Sequence, residues 1–78
     1  MNQQQMMKAL AKRFKGLDVR PASEFYGHKT TGIWMPNASY DFGVRGDLDS
    51  SSDVDKFLEA NGWHIEPHDC ETMVAYRD

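Results

Sequence analysis

The first segment of the chain alternates apolar and polar side chains with the period of an α-helix. Its apolar positions, at intervals of four, four and three residues, are Met6, Leu10, Phe14 and Leu17. That spacing places all of them on one face of a helix. Gly16 is a typical helix stop, because glycine readily adopts the left-handed conformation that ends many helices. The pattern therefore predicts an amphipathic helix over residues 3–15.

The middle of the chain has the shorter period of β-strands. Residues 31–35 are rich in β-branched and aromatic side chains and are followed by Pro36, and apolar residues alternate with polar or small ones over 40–44. We expect these two segments to pair as a hairpin. Shorter extended segments are predicted at residues 17–20 and 25–26, each followed by a turn-forming residue.

A second helix is predicted at residues 53–60. Ser51 or Ser52 can accept hydrogen bonds from its first N–H groups, two aspartates fall in its first turn, and Asn61-Gly62 is a typical helix exit.

Two strands are predicted after this helix, at residues 63–66 and 72–76, with a turn over 67–70 between them. In the first of them, Trp63 and Ile65 are expected to face the core, which leaves His64 and Glu66 on the other side.

The predicted order of elements is helix, strands, helix and two strands. Few segments are long enough for the helical crossovers that parallel strands require. We therefore predict an α+β fold of two layers, with a four- or five-stranded antiparallel sheet and two helices packed on one face. A length of 78 residues is expected to form a single small domain, residues 1–78.

The composition narrows the class of protein further. The single cysteine, Cys70, excludes an intramolecular disulfide and any site built from four cysteines. No apolar run approaches the ~18 residues of a membrane span, and the first residues carry no apolar signal segment. We expect a cytoplasmic protein with no membrane partner.

Charge is distributed unevenly along the chain. The formal net charge is −3, but residues 1–20 carry five basic side chains against Asp18, a net charge of +4, and residues 41–78 carry ten acidic against three basic, a net charge of −7. Such an uneven charge distribution is typical of proteins that bind a charged partner and of domains whose opposite charges pair with each other.

The densest group of reactive side chains is His64, His68, Asp69 and Cys70. Imidazole, thiolate and carboxylate groups all bind zinc, and a histidine can activate a cysteine nucleophile. The group lacks the paired spacing of strong metal motifs, so a polar surface turn is the favoured interpretation. We predict no metal, no cofactor and no catalytic residues, and keep a small metal- or thiol-dependent enzyme as an open alternative.

Two surfaces are candidates for binding a macromolecule. Nine aromatic residues exceed what a small sheet and two helices need to bury, and exposed aromatic side chains often anchor protein interfaces. The acidic and aromatic residues expected to contact a protein partner are Asp47, Asp49, Asp53, Asp55, Glu59, Trp34 and Tyr40. The basic residues of the first helix that would contact nucleic acid instead are Lys8, Lys12, Arg13 and Lys15.

Four segments, residues 32–34, 40–42, 54–63 and 72–73, resemble small uncharacterised proteins of phages and other mobile elements. Such proteins often inhibit host machinery by binding it, and anti-CRISPR proteins are among them. The resemblance implies a phage-encoded inhibitor of a host defence complex, with a defence nuclease as the expected partner. The basic charge of the first helix supports an alternative function, that of a nucleic-acid-associated regulator that binds through this helix.

Overall fold

The computed structural model describes residues 1–45 and 52–78, and within these ranges the chain forms four helices and four strands. The helices are α1 (Gln3–Arg13), α2 (Ala22–Tyr26), α3 (Ala38–Phe42) and α4 (Asp53–Ala60). The strands are β1 (Arg20–Pro21), β2 (Ile33–Met35), β3 (Trp63–Pro67) and β4 (Met73–Arg77). The predicted α+β class and antiparallel sheet are confirmed.

The sheet has the strand order β1-β2-β4-β3, and every neighbouring pair is antiparallel. Ile33, Ala75 and Ile65 lie side by side across β2, β4 and β3. The next residues, Trp34 and Val74, are paired in the same way but point to the opposite face, because side chains alternate along a strand.

Helix α1 begins with a capping box that its first residues encode. The Asn2 side chain accepts a hydrogen bond from the Gln5 N–H, and the Gln5 side chain accepts one from the Asn2 N–H. Met6 and Leu10 are fully buried, as the helical spacing predicts. The helix ends at Arg13, two residues earlier than predicted.

The predicted second helix is confirmed as α4, with the predicted bounds. Ser52 is its N-cap, and the Ser52 hydroxyl accepts a hydrogen bond from the Asp55 N–H at 3.1 Å. Val54 and Leu58 are buried against the sheet. The strands predicted after this helix are also confirmed, as β3 and β4.

The predicted strand and hairpin at residues 40–44 are wrong, because residues 38–42 form helix α3. In a helix Ala38 and Phe42 are four residues apart and share a face. Ala38 is fully buried and Phe42 packs against the core, and Gly43 ends the helix with a φ of 64°. An alternating pattern this short fits a single helical turn as well as a strand.

Two further expectations are corrected. Residues 25–26 belong to α2 and not to a strand, and only Arg20 of the segment 17–20 is in a strand. The described chain has four helices where two were predicted, and they do not share one face. Helices α1 and α4 pack on the main core, whereas α2 carries Phe25 onto the opposite face against Trp34. A fifth strand is not found in the described residues.

The main core lies between the sheet and helices α1, α3 and α4. The fully or almost fully buried side chains that form it include Met6, Leu10, Ile33, Met35, Leu58, Trp63 and Met73. Trp63 and Ile65 face this core, as predicted. The Trp63 indole N–H donates to the Met1 carbonyl oxygen at 3.1 Å, which ties the first residue to β3. Among the described helices, none is long and apolar enough to span a bilayer.

Candidate functional site

A cluster of aromatic rings covers the face of the sheet opposite the main core. The Phe25 ring on α2 lies 5.2 Å from the Trp34 ring and 5.0 Å from the His68 ring, measured between centroids. Tyr26 stacks beside His28 at 5.6 Å. Below these rings Val74 is completely buried. We call these residues, together with Tyr76, the second-face cluster. Most of the aromatic residues beyond those that the main core was expected to bury lie in this cluster.

Within the second-face cluster, Tyr76 connects β4 to α2. Its hydroxyl lies 3.4 Å from the Tyr26 hydroxyl, and this contact together with partial burial raises the Tyr76 pKa to about 12. The Tyr76 ring lies against Gly32, where a Cβ atom would come within 2.7 Å of its Cε1 atom. The absence of a side chain at Gly32 therefore creates the space for this ring.

His64 is held between two carboxylates at the edge of the sheet. Its Nε2 atom lies 2.6 Å from Glu66 Oε2, and its Nδ1 atom lies 2.5 Å from Asp78 Oδ1. Both ring nitrogens can donate only in the protonated imidazolium. Hydrogen bonds to Glu66 and then to Asp78 raise the pKa of His64, so this arrangement binds a proton and links the last described residue to β3.

The turn between β3 and β4 is stabilised by its own aspartate. Asp69 Oδ1 accepts hydrogen bonds from the Glu71 N–H at 2.9 Å and the Thr72 N–H at 2.8 Å. These bonds lower the pKa of Asp69, the bond from Glu71 most, so its carboxylate keeps its charge. The Ser39 hydroxyl donates to the Cys70 carbonyl oxygen at 3.3 Å, which brings α3 against this turn.

Tyr40 lies on α3 beside the same turn. The Glu71 side chain is its neighbour and is the main cause that raises the pKa of Tyr40. The residue is 69% exposed, whereas the other described tyrosines are half-buried in the second-face cluster. Tyr40 therefore presents an aromatic ring to solvent next to a carboxylate.

An open cleft of about 350 Å³ lies at the turn between β3 and β4, which Ser39 of α3 contacts through the Cys70 carbonyl oxygen. Its lining residues are Arg45, Pro67, Asp69, Cys70 and Met73. Met73 is buried and lies on the apolar side of the cleft, and Asp69 supplies an ionised carboxylate. We call this cleft, together with Tyr40 and Glu71, the Tyr40 surface.

The reactive group proposed from the sequence does not converge. His64 binds Glu66 and Asp78, His68 packs on Phe25, and Cys70 is exposed at the turn. Across residues 1–45 and 52–78, no three histidine, cysteine or carboxylate side chains are placed to hold a metal ion. The arrangement also brings no histidine to Cys70 that the described contacts record, so it offers no support for a thiol nucleophile.

The described acidic residues of the surface expected from the sequence all lie on α4. Asp53 and Glu59 are exposed on α4. Asp55 is only 4% exposed, so little of its side chain is open to a partner. The N-cap geometry turns the Asp55 carboxylate back to the Ser52 hydroxyl, which donates to it. Asp47 and Asp49 lie outside the described residues.

The two predicted aromatic contacts also separate. Trp34 is half-buried in the second-face cluster, whereas Tyr40 is exposed at the turn. Sequence reasoning missed Glu71 and Asp69 as neighbours of Tyr40. Nothing in the local pattern indicates this neighbourhood, because about thirty residues separate Tyr40 from Glu71 along the chain and only the packing of α3 on the turn brings them together.

The basic side chains of α1, and Lys15 just after it, remain accessible. Lys8, Lys12, Arg13 and Lys15 are all exposed. The Arg13 guanidinium lies 5.0 Å from the centroid of the Phe57 ring on α4 and 5.9 Å from that of Phe14. Arg13 is thus used in part to join α1 to α4 by a cation–π contact.

Comparisons with protein-family models, curated proteins and solved structures found no match to this chain.

Proposed function

We propose that this protein is a non-enzymatic binding protein that blocks a host protein complex in the bacterial cytoplasm, with a defence nuclease as the target and a phage or mobile element as the source. The observation that supports it is the 69% exposure of Tyr40 beside Glu71 and the adjacent cleft. The target class comes from the sequence resemblance, and the surface comes from the geometry.

Tyrosine is among the residues that contribute most to binding free energy in protein interfaces, because a large ring is buried at little cost in conformational entropy. Most other large aromatic side chains of this chain already pack in the main core or in the second-face cluster. Most of the Tyr40 surface makes no such packing contact. Binding of a partner therefore explains its exposure better than a role in the fold.

The direct test is co-purification of the full chain with reconstituted defence nuclease complexes, together with phage plating on strains that each express one of these nucleases. We expect one complex to be retained and its interference with phage to fall. Tyr40→Ala should weaken retention by about tenfold or more, as truncation of an interface anchor does.

The matched control is the double variant Asp53→Asn, Glu59→Gln, which removes two exposed charges from α4 and leaves the Tyr40 surface intact. It should retain the complex as the unmodified chain does. Equal losses in both variants would place the interface elsewhere, and failure of the chain to retain or inhibit any tested nuclease would contradict the proposal.

A second candidate function is regulation through nucleic acid, which the exposed lysines of α1 favour. Phosphate contacts release counterions, so such binding would fall steeply with added salt. In a gel-shift series at low salt, Lys8→Gln with Lys12→Gln should then abolish a shift that Tyr40→Ala leaves unchanged. No shift at 50 mM salt would remove this candidate.

A further inference from the structure

We infer that the Tyr40 surface recognises an arginine side chain of the protein partner, which stacks on the Tyr40 ring and pairs with Glu71 and Asp69. This inference rests on the proposed function, because it names the chemistry of the group that the same surface binds.

The Tyr40 ring is open to a ligand. Tyr40 is 69% exposed beside Glu71, so much of its ring area is accessible. A planar guanidinium stacks on such a ring through cation–π attraction, and arginine is the cation that does so most often. The protein already uses this kind of contact where Arg13 lies over Phe57 and Phe14.

The carboxylates supply charge complementarity. Asp69 holds its negative charge because two backbone N–H groups lower its pKa, and Glu71 is exposed one residue beyond Cys70. Arg45 also lines the cleft and carries a charge opposite to that of Asp69, and Glu71, which is outside the lining, gives the described residues of the Tyr40 surface one negative charge in excess. A cationic group is therefore favoured over an anionic one at this position.

The cleft suits the rest of an arginine side chain. Pro67 and Met73 line it with apolar atoms, and the methylene stem of arginine lies readily along such a surface while its head reaches a charged rim. A volume of about 350 Å³ exceeds what one side chain requires, so backbone of the partner can enter with it.

The test is an NMR titration of the ¹⁵N-labelled full chain with a capped glycine–arginine–glycine peptide. The matched probe is the same peptide with citrulline, a neutral side chain of nearly the same shape. We expect shift changes for the arginine peptide at residues 39–41 and 67–73, with binding about two- to fivefold weaker for citrulline. Tyr40→Ala and Glu71→Gln should each weaken binding of the arginine peptide by a similar factor.

Unchanged spectra outside the surface show that each variant is folded. Equal binding of the two peptides, or shifts concentrated at Asp53 and Glu59 on α4, would overturn the inference. The proposed function fails separately: if the arginine peptide binds as described but no nuclease is retained, the recognition chemistry stands and the target class is wrong. If a nuclease is retained in a Tyr40-dependent way but the citrulline peptide binds as well as the arginine peptide, the proposed function stands and arginine recognition is wrong.

Discussion

Gly32 lies directly against the ring of Tyr76, which leaves no room for a side chain at position 32. A Cβ atom on Gly32 would stand 2.7 Å from Tyr76 Cε1 and 3.1 Å from the Ala75 carbonyl oxygen. The Gly32 carbonyl oxygen also accepts hydrogen bonds from the Ala22 N–H and from the Gln3 side chain. One residue without a side chain thus links α1, α2, β2 and β4.

Gly32→Ala should destabilise the fold by about 1–3 kcal/mol, because the added methyl group overpacks a site whose backbone neighbour has little freedom to move. Urea unfolding measures this change in the free energy of unfolding. In a Tyr76→Ala background the same substitution should cost less, since the nearest contacting atoms are gone. An equal cost in both backgrounds would show that Tyr76 is not the residue that limits the space.

His64 should make stability depend on pH. Its pKa is raised in the folded state by Glu66 and Asp78, so its contribution is fully present below the unfolded value of about 6.5 and is lost as the pH rises through the folded value. The stability difference between the unmodified chain and His64→Gln should therefore shrink as the pH is raised from 5.5 to 9. Chemical denaturation at each pH measures this difference.

His28→Gln is the control for that measurement, because His28 is exposed and its ring contacts Tyr26 without a carboxylate partner among the described contacts. Its pH profile should follow that of the unmodified chain. A difference for His64→Gln that grows with pH would mean that the two carboxylates do not stabilise the imidazolium.

Ser52→Ala should lower the free energy of unfolding by about 0.5–2 kcal/mol, because it removes the oxygen that accepts the Asp55 N–H at the start of α4. Asp53→Asn, at an exposed position of the same turn, should cost less, since only its interaction with the helix dipole changes. Thermal unfolding of the two variants tests the ranking. A larger loss for Asp53→Asn would contradict the capping role of Ser52.

Val74→Ala tests whether the second-face cluster is a true second core. Val74 and Val44 are both completely buried, the first below the aromatic rings and the second in the main core. Each substitution to alanine should cost roughly 1–3 kcal/mol, because each leaves a cavity. If the second face were solvated, Val74→Ala would cost no more than about 0.5 kcal/mol, as ordinary surface substitutions do.

The near-ultraviolet circular dichroism of these two variants provides an independent check. Val74 lies next to Trp34 on the second face, so Val74→Ala should alter the tryptophan signal. Val44→Ala should alter the tryptophan signal less, even if both variants lose the same free energy of unfolding. The reverse order would indicate that Trp34 packs independently of Val74.

The elements that local pattern alone predicts are those with strong periodicity or explicit end signals. Helix α1 follows from apolar residues four apart, and α4 follows from Ser52 and the stripe of Val54 and Leu58. Strand β3 follows from the alternation of Trp63 and Ile65. In each, the information lies within about ten residues, so the sequence is sufficient.

Short segments were predicted poorly because their patterns are ambiguous. Over five residues, the apolar positions at Tyr40, Phe42 and Val44 satisfy a strand, yet the pairing of Ala38 with Phe42 satisfies one helical turn. Packing of Phe42 against Phe14, with ring centroids 6.3 Å apart, favours the helix. That contact spans almost thirty residues of chain, which no local window contains.

By itself the sequence determined the α+β class, the two longer helices and which side of β3 faces the main core. Only the tertiary structure decided that α2 covers the opposite face, that the Asp55 carboxylate is buried against the Ser52 hydroxyl, and that Tyr40 lies beside Glu71. The physical reason is that helices and caps depend on neighbours along the chain, whereas a surface site depends on which distant segments the shared core brings into contact.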